Sequence, residues 1–272
     1  MLFRSPIPVF AEMSSINPVI LLPEALNAEA EKTAEKLAGS ITLGVGQFCT
    51  SPGLIIAIEN DGLSRFIKSL STAIGNTAPG TMLHQGIADN YTKRLNQTLT
   101  QKGITIDGQS AANPTVKQGK PTVASVSVSE FIKNPLLAEE VFGPFSLVIR
   151  CKDVAELHSA INHLHGQLTA SVFGSESEIS KHQNILNALI EKAGRLIING
   201  VPTGVEVCPS MQHGGPFPST TDSRFTSVGT DAIKRFVRPV AFQNFPNALL
   251  PEELRNENPL GIWRLFNNEW SK

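Results

Sequence analysis

Apolar residues recur along this chain at two alternating spacings, and this alternation limits the possible folds more than any other feature. Helical spacing covers Leu26–Leu43 and Leu63–Ile74, whereas Leu54–Ile58 and Phe145–Arg150 are short apolar runs. Apolar residues three or four apart predict an amphipathic helix, and a short continuous run predicts a buried strand. Strands separated by helices of this length indicate a mostly parallel sheet with helical crossovers. The sequence therefore predicts an α/β fold.

The same criteria predict the remaining elements. Helices are expected over Met82–Thr98, after the cap residue Asp153 and over Ser177–Lys192, with Asp61 capping the helix that holds Leu63, and strands over Ile7–Phe10, Thr122–Val128, Leu168–Phe173, Arg195–Ile198 and Val237–Phe242. Residues Lys102–Pro121 are rich in Gly, Asn, Gln and Lys, which predicts a loop with at most a short hairpin. The segment Asn199–Phe225 contains four glycines and four prolines. A long loop of this composition inside a domain is usually functional.

Composition argues against several classes of protein. The formal net charge is −1 without a basic stripe, so the electrostatic pattern of a nucleic-acid binder is missing. The longest apolar runs have strand length and are too short to span a membrane. Three widely spaced cysteines argue against a disulfide framework or a structural zinc site. The histidines form no metal-binding pattern, so no metal ion is expected, and the expected compartment is the reducing cytoplasm.

The segment Gly44–Gly53 (Gly-Val-Gly-Gln-Phe-Cys-Thr-Ser-Pro-Gly) places a thiol in a short loop. It begins like a dinucleotide-binding fingerprint, but its sixth position is Cys49, and it follows a predicted helix instead of a strand. A phosphate-binding loop is therefore excluded. The flanking glycines leave room for a reactant to approach Cys49, which a nucleophilic thiol requires. From the residues alone, a small, buried and unreactive thiol remains the alternative.

Two acidic segments are further candidates. Glu12 follows the apolar Ile7–Phe10, and a carboxylate in apolar surroundings should be hard to ionise and available as a base near neutral pH. Glu139 and Glu140 precede Phe142 and a Gly-Pro turn, which suits a carboxylate that binds sugar hydroxyls and a ring that packs on a flat cofactor. The alternatives are a solvated loop glutamate at Glu12 and a core position for Phe142.

Taken together, these segments resemble the aldehyde dehydrogenase superfamily. In that family a Glu-initiated segment, a Gly-Gln-x-Cys loop and a Glu-Glu-x-Phe-Gly-Pro motif occur in this order and with similar spacing. The resemblance covers essentially the whole chain and corresponds to the C-terminal, catalytic half of the family. Four stretches are similar to the branch that oxidises 2,5-dioxovalerate (α-ketoglutaric semialdehyde): Gly46–Gly53, Gly200–Glu206, Gln212–Pro218 and Asn258–Arg264.

The resemblance implies a role for each candidate residue. Cys49 would attack the aldehyde carbon to form a thiohemiacetal, and hydride transfer to NAD or NADP would leave a thioester. Glu12 would activate the water that hydrolyses this thioester. Glu140 would bind the ribose next to the nicotinamide, and Phe142 would pack near the nicotinamide ring. The pocket for the aldehyde is expected to include Phe48, Thr50 and Val205.

The resemblance also implies a division of the chain. Residues 1–13 would be a remnant of the nucleotide-binding domain, residues 14–235 the thiol-bearing catalytic domain, and residues 236–272 a C-terminal strand and tail that contacts another subunit. Complete members of the family are longer and place a Rossmann domain ahead of this segment. The cofactor site is therefore expected to be incomplete and the isolated chain inactive. Its expected partners are a small aldehyde and either a second copy or a nucleotide-binding half, with no nucleic acid and no membrane.

Two other functions stay open at this point. The chain could be a non-catalytic oligomerisation module that associates through Val237–Phe242, or it could catalyse slow ester hydrolysis through Cys49. An anionic aldehyde would also need a cation for its carboxylate. The sequence does not choose among Arg150, Arg195 and Arg224 for this role.

Overall fold

Short aliphatic runs form the centre of a sheet in the computed structural model, which describes residues 7–272. The described strands are β1 (Val19–Leu21), β2 (Leu54–Ile58), β3 (Gly80–Thr81), β4 (Thr105–Gln109), β5 (Gln118–Gly119), β6 (Thr122–Ser127), β7 (Phe145–Cys151), β8 (Gln167–Phe173), β9 (Ala193–Ile198), β10 (Arg264–Phe266) and β11 (Glu269–Ser271). The described helices are α1 (Pro23–Thr42), α2 (Asp61–Asn76), α3 (Gln85–Leu99), α4 (Val128–Lys133), α5 (Val154–His163), α6 (Glu176–Lys181) and α7 (Gln183–Ile190).

Seven of the described strands form one sheet in the order β4-β6-β7-β2-β1-β8-β9. Neighbouring strands are parallel except for β4 and β6. At the centre, Val19 of β1 lies between Ile55 of β2 and Ser171 of β8. Parallel neighbours need crossover connections, which the helices supply. The predicted α/β fold with a mostly parallel sheet is confirmed.

Side chains from the central strands enter two separate cores, one on each face of the sheet. Ile20 and Ile56 lie in one core, and Val19 and Ile55 lie in the other. This alternation follows from the two-residue period of a strand. Helices α1 and α2 cover one face, and helices α3, α4, α5 and α7 cover the other. Coverage on both faces explains why the central strands are apolar throughout.

Several predicted elements are confirmed with small shifts in their ends, and others are wrong. The helix predicted at Ser177–Lys192 is two short helices separated by His182, whose backbone (φ −112°, ψ 42°) is not helical. The cap of α2 is Asn60, whose Oδ1 accepts from Leu63 N at 2.7 Å, while Asp61 is already helical. Helix α4 was not predicted; it follows β6 directly because Ser127 caps it through Glu130 N. The predicted cap of α5 by Asp153 is confirmed.

The loop predicted at Lys102–Pro121 is also wrong in part, because it contains β4 and β5. Strand β4 pairs antiparallel with β6 at the edge of the sheet and has an irregular register between Ile106 and Gly108. Ile106 is 49% exposed. An edge strand with a polar outer face lacks the apolar pattern from which strands are recognised.

The residues from Phe236 to Lys272 form a compact unit of their own, distinct from the unit that ends at Arg235. This C-terminal unit consists of single helical turns and the hairpin of β10 and β11. Val237–Phe242, predicted as a strand, has no strand partner among the described residues. A strand needs a neighbour to pair its backbone, and none is supplied there. Ile7–Phe10 is likewise not a strand. No helix in residues 7–272 has the length and apolar character needed to cross a membrane.

Candidate active site

Four segments meet at the edge of the sheet where β7, β2, β1 and β8 begin. Glu12–Asn17 precedes β1, Cys49–Gly53 precedes β2, Glu140–Pro144 precedes β7 and His165–Gly166 precedes β8. These four strands are parallel neighbours, so their amino ends lie at one edge. Segments that are far apart in the sequence therefore come into contact at this edge.

The loop that carries Cys49 lies directly against the turn of the Glu-Glu-x-Phe-Gly-Pro motif. Gly46 has φ +66°, and a Cβ atom on it would lie 2.3 Å from the carbonyl carbon of Gly143. Only glycine permits both this left-handed backbone and so close a backbone approach. Two of the motifs that carry the family resemblance are thus in backbone contact.

Asn17 holds the Cys49 loop in place. Its Nδ2 donates to the carbonyl oxygens of Cys49 at 2.9 Å and of Ser51 at 3.0 Å. Its Oδ1 accepts from Ser15 Oγ at 2.9 Å and from Thr169 Oγ1 at 3.0 Å. Asn17 is buried and has φ +47°, a left-handed conformation that asparagine tolerates better than most residues. It therefore links the Cys49 loop to β8, a role that the sequence analysis missed.

A histidine that the sequence analysis also missed contacts the thiol. His213 Nε2 lies 3.3 Å from Cys49 Sγ and 3.2 Å from Glu12 Oε2. Ser227 Oγ donates to the same Glu12 Oε2 at 3.2 Å. The candidate nucleophile and the candidate base are thus joined through one ring nitrogen. A sequence signal exists, since His213 lies in the loop rich in Gly and Pro, but the lack of a metal-binding pattern says nothing about a histidine that contacts a thiol.

Glycines bring the His213 loop onto the edge of the sheet. A Cβ atom on Gly215 would lie 2.1 Å from the carbonyl oxygen of Gln167, and one on Gly194 would lie 2.0 Å from the carbonyl oxygen of Gly214. No larger residue fits between these backbones. The His213 loop also holds the residue after Glu12, because Met13 N donates to Ser219 O at 2.8 Å.

The ionisation of these groups differs from the prediction. The hydrogen bond with His213 lowers the pKa of Glu12, although burial acts in the opposite direction. The argument that apolar surroundings would make Glu12 hard to ionise was therefore wrong, because a specific donor outweighs desolvation. Hydrogen bonds with Cys49 and then Glu12 raise the pKa of His213 to about 9. At neutral pH this site favours an ionised Glu12 beside a protonated His213.

The other two thiols lie in different environments. Cys151 is fully buried, and burial raises the pKa of its thiol to about 12. Cys208 is partly exposed and contacts Ser210 Oγ at 3.5 Å. All three cysteines are free thiols. Within residues 7–272, Cys49 is the only one of the three that forms a hydrogen bond with a histidine.

The donor atoms of Glu12, Cys49 and His213 lie within 4.8 Å of one another. Metal-ligating histidines almost always donate through their second ring nitrogen to a carboxylate, carbonyl or water. His213 Nδ1 is buried and has no partner among residues 7–272. We therefore interpret the cluster as a proton-sharing group, and the absence of a metal stays a prediction.

The two adjacent acids of the motif before β7 have different surroundings. Glu139 pairs with Arg94, with 2.6 Å between Oε2 and Nη1. Both acids line a cavity of about 470 Å³, together with Arg94, Phe142 and Ser14. Burial raises the pKa of Glu140 to about 7. Glu140 and Phe142 also line a smaller pocket with Gly46 and Ser51 of the Cys49 loop.

The residues predicted to line the aldehyde pocket are placed differently from one another. Phe48 and Val205 are 37% and 40% exposed, whereas Thr50 is fully buried. The Thr50 hydroxyl has no partner among the described residues. Phe48 and Val205 are exposed enough to contact a ligand directly, whereas Thr50 is not. The pocket role of all three stays a prediction.

The comparison with known families agrees with this geometry. The model of the aldehyde dehydrogenase family matches residues 4–239. The chain belongs to this family. The resemblance seen in the three motifs is thereby confirmed, and the aldehyde dehydrogenase fold is the one in which Cys49, Glu12 and Glu140 come together.

Relatives within the aldehyde dehydrogenase family narrow the similarity. The chain is 46% identical over 263 residues to an alpha-ketoglutaric semialdehyde dehydrogenase of Acinetobacter baylyi, and 46% identical over 260 residues to alpha-ketoglutaric semialdehyde dehydrogenase 2 of Azospirillum brasilense. Each match covers 96% of this chain and 50% of the relative. The chain thus spans about half the length of these relatives.

A solved aldehyde dehydrogenase shows the same fold at lower identity. Betaine aldehyde dehydrogenase from Staphylococcus aureus, solved in complex with NAD+, superimposes with a TM-score of 0.66 and 20% identity, over 83% of this chain and 44% of that one. This likeness establishes the fold. The nicotinamide cofactor named there belongs to that protein.

Proposed function

We propose that this chain carries the nucleophile side of the active site of an NAD(P)-dependent aldehyde dehydrogenase. The observation that carries the proposal is the contact cluster at the amino ends of β1 and β2. There the partly exposed Cys49 and the ionised Glu12 both contact Nε2 of His213. A thiol nucleophile with a nearby carboxylate is the arrangement that covalent oxidation of an aldehyde followed by hydrolysis requires.

The residues of this chain account for the covalent steps. Cys49 Sγ adds to the aldehyde carbon and forms a thiohemiacetal. A bound nicotinamide supplies the acceptor for the hydride that leaves this carbon. Glu12 then takes a proton from the water that attacks the resulting thioester, and the carboxylate product leaves with the return of the Cys49 thiol. Because its pKa is lowered, Glu12 is ionised at neutral pH and is able to accept that proton.

The residues before β7 fit a nicotinamide cofactor. Glu139 and Glu140 both line the cavity, but Glu139 is already paired with Arg94, so Glu140 is the acid that is left to bind a ligand there. A carboxylate there would accept hydrogen bonds from ribose hydroxyls, and the adjacent Phe142 ring offers an aromatic surface to a flat heterocycle. We propose that Glu140 and Phe142 hold the nicotinamide end of NAD or NADP. The NAD+ bound in the Staphylococcus aureus neighbour supports the class of cofactor.

We propose 2,5-dioxovalerate as the aldehyde. The two relatives named for its oxidation support this choice, since each is 46% identical over 96% of the chain. The substrate carries a carboxylate and needs a cation. Arg224 is paired with Asp222 at 2.6 Å, and Arg150 is 3.9 Å from Glu59. Within the described residues, Arg195 donates only to backbone carbonyls and Met211 Sδ. Burial lowers the pKa of Arg195, and its interaction with Cys49 acts in the opposite direction. Arg195 is therefore the cation that we assign to the substrate carboxylate.

We also propose a role for each part of the chain. Residues 14–235 would form the thiol-bearing catalytic part, and the unit from Phe236 onward would contact another subunit. The remainder of the nucleotide site would come from a nucleotide-binding half. We accordingly expect the isolated chain to lack aldehyde oxidation.

A chimera tests the proposed function. Replacing the corresponding half of the Acinetobacter baylyi relative with this chain supplies the remainder of the nucleotide site. We expect NAD(P)H formation, followed by absorbance, when 2,5-dioxovalerate is added with NAD+ or NADP+ tested separately. Cys49→Ala in the same chimera is the control. A folded chimera whose Cys49 can be alkylated but which forms no NAD(P)H with either cofactor would contradict the proposal.

Ester hydrolysis is a second candidate, because the contact between Cys49 and His213 needs no cofactor. Thiol–imidazole pairs support acyl transfer in other enzymes. We expect the isolated chain to release the phenol from an activated ester slowly and the Cys49→Ala variant to lose this release. Equal rates for the two proteins would exclude this activity.

A further inference from the structure

Hydrogen bonds to its backbone hold His213 in a defined position. Its N–H donates to Thr226 Oγ1 at 2.8 Å, and its carbonyl oxygen accepts from Ser227 N at 2.9 Å and from Ser227 Oγ at 3.1 Å. Thr226 Oγ1 in turn donates to Val228 O at 2.7 Å. The His213 side chain is only 4% exposed. The ring is therefore presented to Cys49 by a braced loop and is shielded from water on its other sides.

The geometry at Nε2 restricts where protons can be. This one nitrogen faces both Cys49 Sγ, at 3.3 Å, and Glu12 Oε2, at 3.2 Å. An unprotonated ring nitrogen and an ionised carboxylate would present lone pairs to each other. A proton on Nε2 removes this repulsion and allows Nε2–H to be shared between sulfur and oxygen.

From this arrangement we propose that His213 is a catalytic residue that accepts the proton of the Cys49 thiol before aldehyde or cofactor binds. The proton leaves Sγ and is bound at Nε2, while Nδ1 keeps the proton that it already carries. The products are a thiolate and an imidazolium, and no bond to carbon changes. The inference rests on the proposed function only in taking Cys49 as the nucleophile.

Neighbouring charges both favour and oppose this transfer. Glu12 stabilises the imidazolium from one side, and the raised pKa of His213 agrees with a protonated ring. Arg195 is the cation that interacts with Cys49: burial lowers the pKa of Arg195, and this interaction acts in the opposite direction. The burial of Nδ1 without a partner among residues 7–272 opposes protonation of the ring. Glu140 acts more remotely, since its charge interacts with Glu12. The Glu12 carboxylate faces Nε2 at 3.2 Å, so its attraction for the imidazolium acts at contact distance.

Two protonation states are compatible with the contact between Cys49 Sγ and His213 Nε2. In the proposed state Cys49 is a thiolate and His213 carries two protons. In the competing state His213 is neutral with its proton on Nε2, and the thiol proton points toward Glu12. Only the first state makes Cys49 reactive toward an alkylating agent at neutral pH, since the thiolate is the nucleophile.

Alkylation of Cys49 by iodoacetamide tests the proposal without aldehyde or cofactor. The rate is measured from about pH 6 to about pH 9.5, on the full 272-residue chain, by mass spectrometry of the peptide that contains Cys49. Cys151 and Cys208 lie on other peptides and serve as internal references. The proteins compared are wild type, His213→Phe, His213→Gln and His158→Phe. His158 lies on α5 and bonds Asn162 Nδ2 at 3.1 Å, so its variant controls for the loss of a histidine elsewhere.

We expect wild-type Cys49 to react at least about tenfold faster at pH 7 than Cys49 in either His213 variant. The difference should shrink at the alkaline end, where thiols ionise without help, and His158→Phe should follow wild type. His213→Gln keeps a polar side chain, so it decides the matter if His213→Phe fails to fold. Superimposable pH profiles for wild type and a folded His213 variant would overturn the proposal. A chimera without aldehyde oxidation would contradict the proposed function but leave the alkylation result unaffected.

Discussion

The central strands and the segment from Asn199 to Ser227 both build the candidate active site, yet different forces hold them. Strands β1 and β2 are almost completely buried aliphatic residues. The loop is held by individual hydrogen bonds, such as that from His213 N to Thr226 Oγ1, and by glycines in backbone contact with the sheet. Apolar burial brings whole segments to one edge and tolerates small shifts. Directional bonds place single atoms, which is what the Cys49–His213–Glu12 contacts need.

The largest effect should come from the atom that reacts. Cys49→Ala in the chimera should lower NAD(P)H formation by at least about ten-thousandfold, because the covalent path is lost. The melting temperature should change little, since the side chain is only partly buried. Steady-state rates and a thermal melt of the same preparation measure both quantities. A variant that melts much earlier would mean that Cys49 also supports the fold.

Truncation of a buried side chain in the sheet should have the opposite effect, a loss of stability with little change in the reactivity of Cys49. Ile56 of β2 is fully buried between Ile20 and Ile149 on the neighbouring strands. Ile56→Ala should lower the free energy of unfolding by about 2–5 kcal/mol, while the folded fraction keeps its Cys49 alkylation rate. Ile198→Ala is the matched control, because this residue is 51% exposed and should cost under about 1 kcal/mol. Similar losses at the two positions in denaturant titrations would refute the contrast.

Asn17 joins the two regions and should affect both measurements. Asn17→Asp keeps the acceptor for Ser15 and Thr169 but loses the donor to the carbonyl oxygens of Cys49 and Ser51. We expect a loss of about 1–3 kcal/mol in unfolding free energy and a changed alkylation rate for Cys49. Asn17→Ala should cost more, since it loses the acceptor as well. Wild-type alkylation in Asn17→Asp would show that the Cys49 loop does not depend on this anchor.

The smallest effect should depend on pH. Burial raises the pKa of Glu140 to about 7 from an ordinary value of 4.5. Below the ordinary value the group is protonated in both the folded and the unfolded chain, so it has no effect on stability. As the pH rises toward 7, the unfolded chain ionises first, and the folded state is progressively disfavoured. Glu140→Gln should therefore raise the melting temperature by a few degrees above pH 7 and leave it unchanged near pH 4. An equal shift at both pH values would contradict a titrating Glu140.

Several parts of the fold and site were predictable because they depend on local chemistry. The apolar runs of β2 and β7 and the helical spacing of α1 and α2 identify elements that are buried wherever they pack. The Cys49 loop and the Glu-Glu-x-Phe-Gly-Pro motif were recognisable as a combination. The edge strand β4 was not, because half-exposed residues such as Ile106 lack an apolar pattern. Val237–Phe242 has a strand-like sequence, but no described residue offers it a backbone partner.

By itself, the sequence determined the α/β class through the spacing of its apolar residues and the family through its motifs, and it predicted Cys49, Glu12 and Glu140 as site residues. Tertiary structure alone decided which nitrogen faces Cys49, how Glu12 ionises and what anchors the loop. His213 is 164 residues from Cys49, and Gln167 is 151 residues from Ile16. These contacts arise because four parallel strands begin at one edge and glycines let a distant loop close over it. A pKa then follows from the donors and acceptors within a few ångströms, which chain order does not specify.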